Sequence, residues 1–169
     1  MFDEKFYEQI INNYEYINNV KKIINDRFPI AISISQLCPI YLMGGALRDI
    51  RFGNLPKDLD FVCLDNDNII ELFIEKFKLD YKINSFGGYK INYNGMSIDL
   101  WKTDDLYSAV EYNIDGLFFD VKQNWFICFG YYDALNNGIS VINSKNNTSN
   151  KSRKKERRLK LINYFSKIK

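Results

Sequence analysis

The stretch from Tyr41 to Leu64, YLMGGALRDIRFGNLPKDLDFVCL, decides the reading of this chain. Tyr41-Leu42-Met43 is short and apolar and follows Pro39, which predicts a buried strand. Gly44 and Gly45 come next, then Ala-Leu-Arg-Asp-Ile-Arg-Phe, a helix-compatible run that Gly53 can stop. Leu55-Pro56 predicts a turn, and Asp58-Leu59-Asp60-Phe61-Val62 a second strand. Its carboxylates, Asp58 and Asp60, are spaced i, i+2, which puts both on one face of a strand.

Each part has a chemical reading. A strand that ends in Gly-Gly and enters a helix offers backbone N–H groups to an anion, and glycine lets a phosphate come close to the backbone. Two neighbouring carboxylates repel each other, and a hard divalent cation such as Mg²⁺ relieves that repulsion with oxygen ligands. A Gly-Gly pair alone is ordinarily a turn, and an Asp-x-Asp alone is ordinarily a solvated strand face. Phosphate cradle and metal site in this order point to nucleotidyl transfer from a nucleoside triphosphate.

Composition narrows the chemistry further. The chain has 169 residues, enough for one domain with a sizeable core, or for one domain plus a helical extension. Its 46% apolar and 16% aromatic content predicts a globular fold. There is no histidine, which excludes Ser-His-Asp and Cys-His catalysis and histidine metal sites, leaving carboxylates and metals as tools. Cys38, Cys63 and Cys128 are scattered without CxxC spacing and predict buried reduced thiols. No signal peptide and no apolar run near the ~18 residues of a membrane span are present, so a cytoplasmic setting without membrane contact is expected. The net charge of +2 conceals an asymmetry. Lys151 to Lys169 holds nine Lys/Arg and one Glu, leaving 14 basic and 20 acidic residues to the body, so a polyanionic partner is expected at the C-terminal end.

Outward from the central stretch, Asp3 to Arg27 predicts one long amphipathic helix, with Phe6, Ile10, Tyr14, Ile17, Ile24 and Phe28 at helical spacing, and Pro29 ends it. Ala31 to Ser35 is apolar and β-branched and of undecided type. Asp65 and Asn66 form a turn and N-cap for a second helix, Asn68 to Lys78. Three strands follow, Tyr81 to Ser85, Tyr89 to Tyr93 and Met96 to Trp101, joined by Gly87-Gly88 and Asn94-Gly95 as an antiparallel meander. In the last strand Ile98 and Leu100 face one way and Asp99 the other. If this strand lies beside Asp58 and Asp60, Asp99 becomes a third carboxylate of the site; alone it is a solvated Asp. Thr103 is placed to cap a short helix to Val110, Trp125 to Gly130 predicts a strand, Tyr131 to Asn137 a helix, and Ile139 to Ile142 a final strand. The expected domain ends near 143. Residues 144–169 then read as a polar linker followed by a basic helix, Lys154 to Ile168.

These residues resemble a known family, the class II branch of the DNA polymerase β-like nucleotidyltransferases, in particular the head domain of CCA-adding enzymes and bacterial poly(A) polymerases. Its pattern, Gly-Gly-x-x-Arg-Asp-x-x-x-Gly followed by a Lys-Asp-x-Asp strand, is met by Gly44, Gly45, Arg48, Asp49, Gly53, Lys57, Asp58 and Asp60. The resemblance covers roughly Tyr41 to Ile142, strong at first and fading later. It implies an α/β (α+β) polymerase β-like fold: a mixed, mostly antiparallel sheet with helices packed on one face, plus the basic C-terminal helix. It further implies that Asp58 and Asp60 hold two Mg²⁺, or Mn²⁺, with Asp99 as the third catalytic carboxylate. Gly44, Gly45, Arg48, Asp49, Lys57 and Asp115 become the nucleotide-binding positions.

The chain also departs from the family. Val110 stands where the family has Arg, Glu111 where it has Asp, and Asp115 where it has Asn; Asp115 is either a ribose acceptor or a structural polar residue. In the basic helix Arg157 replaces the base-reading Asp and Lys160 replaces Arg. Arg only donates hydrogen bonds, so the base preference does not carry over, and the substrate stays ATP or CTP. The body and tail domains that measure a tRNA have no counterpart after Lys169, so the sequence reads as a minimal stand-alone form. The expected activity moves a nucleoside monophosphate from NTP to a hydroxyl, foremost an RNA or tRNA 3′ end, releasing pyrophosphate. Lys151, Arg153, Lys154, Lys155, Arg157, Arg158 and Lys160 are expected to hold the RNA backbone. Two alternatives stay open: a toxin-like or small-molecule-modifying transferase, and a nucleotide- or RNA-binding module without turnover.

Overall fold

The computed structural model describes residues 13–143 together with Leu159, Ile162 and Asn163. The expected helix start at residues 3–12 and the basic positions Lys151, Arg153, Lys154, Lys155, Arg157, Arg158 and Lys160 lie outside the described residues.

The chain enters on helix α1, Tyr14–Arg27, whose first turn is capped by the Asn13 side chain accepting from the Tyr16 amide at 3.0 Å. The inward stripe is Tyr16, Val20 and Ile24; of the expected positions Ile24 and Phe28 are buried, whereas Tyr14 is 80% exposed. The reason is specific: Tyr16 stacks on Phe126 at 4.7 Å and its hydroxyl donates to the Leu47 carbonyl, satisfying the one polar atom that its burial would otherwise strand. Ile30–Ile34, the stretch of undecided type, is a short helix, α2.

Strand β1, Ile40–Met43, is buried throughout and leads through Gly44 into α3, Gly45–Arg51. Strand β2 is Asp58–Cys63, and α4, Ile69–Lys76, returns along the sheet. The meander is β3, Tyr81–Ile83, β4, Tyr89–Tyr93, and β5, Met96–Lys102. Strands β6, Leu117–Asp120, and β7, Trp125–Cys128, precede α5, Tyr131–Asn137.

Two expected elements take other forms. The expected helix to Val110 is only a 3-10 turn at Tyr107–Ala109, held by the Asp105 carboxylate, which accepts from the Ser108 amide and hydroxyl; Thr103 instead donates to the Asp105 carbonyl. The expected strand Ile139 to Ile142 reduces to one bridge, Val141 to Tyr112. There the Ser140 amide donates to the Asn113 side chain rather than to a backbone carbonyl, so the ladder is broken by a side chain taking the backbone's place.

Among the described residues seven strands make one sheet, in the order β3-β4-β5-β2-β1-β6-β7. Only β2 and β5 run parallel; every other pair is antiparallel. The alternation of the strands divides it into two faces. One face, with Leu42, Leu59, Phe61, Ile98, Leu100 and Phe119, packs against the buried sides of all these helices in a single core. Burial of each such side chain contributes about 1.5–3 kcal/mol. The opposite face carries no helix from this set. At its centre Tyr41, Met43, Val62, Leu106, Val110 and Phe118 form a small apolar cluster, and beside them lie the strand positions of Asp58, Asp60 and Asp99. Cys38 and Cys63 are buried and Cys128 half-buried. Cys38 and Cys63, apart in sequence, share a thiol–thiol hydrogen bond that favours the Cys38 thiolate and pushes the Cys63 thiol up. Among the described residues no helix is long and apolar enough to cross a membrane.

Candidate active site

The site begins with strand register. In the parallel pair β2–β5, Asp60 lies directly beside Asp99 and Asp58 beside Ser97. Residues opposed in this way share a face, and Asp58 shares it by its i, i+2 spacing. The three predicted carboxylates are therefore neighbours on the face opposite the one that packs against α1 to α5. Asp58 is exposed, while Asp60 and Asp99 are half-buried. The hairpin that the Asn94-Gly95 turn produces delivers Asp99 to this position: β4 pairs antiparallel with β5, and β5 then lies against β2.

The Gly-Gly turn closes one side. Met43 is the register partner of Asp60, so Gly44 emerges next to the carboxylates. Gly44 has φ 76 and ψ −142, a conformation open in practice only to glycine. A Cβ placed on it would stand 3.3 Å from Asp60 Oδ2, so the bare backbone is what fits. A Cβ on Gly45 would stand 3.6 Å from an Arg48 Nη atom, which puts the guanidinium over the same turn. Arg48 Nη1 in turn donates to Asp115 Oδ1 at 2.8 Å. The Asp115 side chain is 2% exposed and that of Arg48 17%, so this is a desolvated pair rather than a surface one.

The structure thus brings together Asp58, Asp60, Asp99, Gly44, Gly45, Arg48 and Asp115. Asp115 sits in a 3-10 turn, Asn113–Asp115, that leads into β6, its carboxylate turned onto Arg48. Asp49 is half-buried on α3, and Lys57 is exposed just before β2. Val110, where the resembled family has Arg, is fully buried in the apolar cluster on the site face.

Sequence reasoning missed Lys90. It is the register partner of Asp99 on β4, and its Nζ stands 3.9 Å from Asp99 Oδ2. Alternation counted from the Asn94-Gly95 turn would have placed it on the same face. A second polar cluster lies at the far end of β2 and β5, where the cap expected at Asp65 forms and the partners Lys102, Glu71 and Tyr89 were unforeseen. Asp65 accepts from the amides of Asp67, Ile69 and Ile70 at 2.9–3.0 Å, capping α4. Lys102 joins Asp65 at 3.6 Å and Glu71 at 2.8 Å, and the Tyr89 hydroxyl donates to Glu71 at 2.7 Å. Burial pushes the Asp65 carboxyl up, but the backbone N–H bonds and Lys102 outweigh it and hold it below the ordinary value. Burial and the bond to Glu71 push the Tyr89 phenol up to about 12.

The donor set at the first site fits a hard divalent cation: oxygen only, three carboxylates on adjacent strands, with no histidine or cysteine ligand. Among the described residues no three His, Cys, Asp or Glu side chains stand together as a metal-holding group, so the three carboxylates share a face by strand register without converging on one point.

No protein-family model matches the sequence, and no curated protein matches it. Solved structures do. One is a tRNA-processing enzyme in an apo form, with TM-score 0.56 and 19% identity over 71% of this chain and 37% of that one. A Thermotoga maritima CCA-adding enzyme complexed with tRNA gives TM-score 0.53 and 22% identity over 73% and 35%. A CCA-adding enzyme in complex with ATP gives 0.54 and 20% over 73% and 36%. The fold is shared with these structures. This chain spans little more than a third of the length of these structures.

Proposed function

We propose that this chain is a metal-dependent nucleotidyltransferase that moves a nucleoside monophosphate from an NTP, ATP or CTP, to a hydroxyl, foremost an RNA 3′ end such as that of tRNA. The observation that carries the reading is the in-register pair Asp60–Asp99, with Asp58 on the same face and the glycine backbone of Gly44 against Asp60. Structures with the same fold that bind ATP and tRNA support the choice of substrates.

In this reading Asp58 and Asp60 hold two Mg²⁺, or Mn²⁺, with Asp99 on the acceptor side. Bound there, the ions supply charge neutralisation and activation of the attacking hydroxyl. The acceptor oxygen bonds to the α-phosphorus as the bond to the leaving pyrophosphate breaks. The Gly44–Gly45 backbone admits the triphosphate closely, and Arg48 offers it a guanidinium whose direction is fixed by Asp115. Asp49 and Lys57 flank this cradle at the end of α3 and before β2. The basic residues Lys151 to Lys160 hold RNA phosphates without reading sequence.

One observation favours a second reading, a nucleotide- or RNA-binding module without turnover. Val110 is buried in the apolar cluster, so the position where the family has Arg offers no charge to the nucleotide.

An incorporation assay separates the two. The protein, Mg²⁺ and each α-labelled NTP are incubated with total cellular RNA and, separately, with total protein. Asp58→Asn/Asp60→Asn and a chelator run in parallel. Label in RNA that falls at least about a hundred-fold in the variant, the loss of several kcal/mol of charge stabilisation, supports the transferase. Label in protein redirects the reading to a protein-modifying transferase. NTP binding with no pyrophosphate released, whatever acceptor is offered, replaces it with the binding module.

A further inference from the structure

Four strands place one charged residue each in a single row across the site face. Asp60 on β2 pairs with Asp99 on β5, Asp99 with Lys90 on β4, and Lys90 with Lys82 on β3. Register partners share a face, so the row runs from the two carboxylates through two ammonium groups to the edge of the sheet. Lys90 is 57% exposed at its side chain, and Lys82 is exposed. Like charges directly opposed on neighbouring strands destabilise the hairpin, so Lys82 and Lys90 stand together against their own repulsion. A chain of phosphates laid across them relieves that repulsion.

The turn that joins β3 to β4 adds an aromatic. Phe86 is 78% exposed, yet the loop carrying it is tightly bonded. The Asn84 side chain accepts from the amides of Phe86 and Gly88 at 2.9 Å, the Asn84 amide donates to the Gly88 carbonyl at 2.8 Å, and Gly87 donates to the Asn84 carbonyl at 3.0 Å. A Cβ on Gly88 would stand 2.9 Å from the Trp101 Cβ, so the turn is also pressed against β5. Phe86 is therefore presented to solvent by a fixed loop rather than left at a frayed tip. Two ammonium groups in register and a presented aromatic ring are what a single-stranded nucleic acid uses: charge for its backbone, a face for a base.

We infer that the β3–β4 hairpin is a binding surface for single-stranded nucleic acid, in which Lys82 and Lys90 hold two successive backbone phosphates and Phe86 stacks a base, directing the strand's end to Asp99. The last clause rests on the nucleotidyltransferase reading; the binding does not. The surface engages the strand next to the carboxylates.

The test is fluorescence anisotropy of the full chain with a labelled ten-nucleotide RNA over a salt series. Lys82→Gln/Lys90→Gln is expected to weaken binding several-fold at low salt and to reduce the slope of log K against log salt by about 1.4, two phosphates at about 0.7 each on a single strand. Phe86→Ala is expected to weaken binding roughly ten-fold with the slope unchanged. Lys21→Gln/Lys22→Gln removes the same charge from exposed positions on α1, across the sheet, and is expected to change neither. Equal effects from both lysine pairs, or an unchanged slope in Lys82→Gln/Lys90→Gln, overturn the inference. Equal competition by a duplex of the same length overturns it, and equal competition by polyglutamate overturns it in favour of an acidic protein partner. Incorporation assays on the same variants keep the two readings apart. Hairpin-dependent binding without label transfer sinks the transferase and leaves the surface, whereas transfer indifferent to the hairpin does the reverse.

Discussion

Arg48 and Asp115 are 67 residues apart in sequence and meet at 2.8 Å, with the carboxylate 2% exposed. This pair ties the helix that follows the Gly-Gly turn to the turn that precedes β6. It also fixes the guanidinium over Gly45. On the proposed reading, the cation that would meet a phosphate is thereby held in place by an acid that is 2% exposed.

Removing one partner of such a pair leaves the other desolvated without its counter-charge, so Arg48→Met is expected to destabilise the fold by about 3 kcal/mol. Asp115→Asn keeps an acceptor oxygen of the same shape and is expected to cost only about 1–2 kcal/mol. Urea denaturation of both single variants and of the double variant checks this. A coupling energy above roughly 1 kcal/mol is expected between residues in contact. Additive single effects would mean that the pair is incidental.

Gly44 and Gly53 separate two roles of glycine. Both have positive φ, 76 and 74. A Cβ on Gly53 meets nothing within 4 Å, so Gly53→Ala is expected to cost only the backbone strain, about 1–2 kcal/mol, with activity retained. A Cβ on Gly44 stands 3.3 Å from Asp60 Oδ2. Gly44→Ala adds displacement of a site carboxylate to a strain of about 1–3 kcal/mol. Incorporation per folded molecule is expected to fall at least ten-fold in Gly44→Ala and to stay near wild type in Gly53→Ala. Equal activities would remove Gly44 from the site.

The parts legible in sequence are those fixed by short-range rules. Strand, Gly-Gly, helix, turn and Asp-x-Asp strand are contiguous, and each carries its own punctuation. Asp99 was reachable because an Asn-Gly turn forces an antiparallel hairpin and period-2 alternation then sets the face. What stayed hidden depends on long-range partners. Tyr16 rather than Tyr14 turns inward because Leu47 and Phe126 receive it. The strand expected at Ile139 to Ile142 gives way because Asn113, fully buried, spends its side chain on Ser140, Asp133 and the Gly138 carbonyl. Asp115 could be read as a ribose acceptor from sequence, and only the fold brings Arg48 to it. The basic positions from Lys151 to Lys160 lie outside the described residues.

Asp65 supplies a pH dependence. Burial raises its carboxyl, while the amides of Ile70, Ile69 and Asp67 and the Lys102 ammonium lower it by more, leaving it below the ordinary value in the folded state. A depressed acid contributes stability that is complete above its unfolded value, near pH 4, and is lost as pH falls through the folded value. Asp65→Ala is therefore expected to cost about 1–2 kcal/mol at pH 7, the scale of a lost cap. The gap to wild type should narrow as pH falls below 4. Glu71, also held low against the effect of burial by Lys102 and Tyr89, keeps part of the acid sensitivity in the variant. Unfolding free energies at pH 7, 5 and 3 check this, and a gap constant with pH would show that Asp65 acts without its charge.

Gly116 is required for space, not for conformation. Its φ is −79, which any residue adopts, yet a Cβ on it would lie 1.8 Å from the Phe129 carbonyl oxygen and 2.7 Å from its carbon. These are backbone atoms, held there because the Phe129 amide donates to the Gly116 carbonyl at 2.6 Å. No rotamer change relieves the contact, so Gly116→Ala must part the two chain segments where β6 begins and β7 ends. A loss above about 4 kcal/mol is expected, against about 1–2 kcal/mol for Gly95→Ala, whose φ is 83 and whose Cβ meets nothing within 4 Å. Asp115 precedes Gly116 directly, so the same displacement draws its carboxylate from Arg48. Variants that stay folded at low temperature should therefore lose NTP binding as well as stability, read by ligand-induced shift of the thermal midpoint. A wild-type shift in folded Gly116→Ala protein would show that the guanidinium needs no support from Asp115.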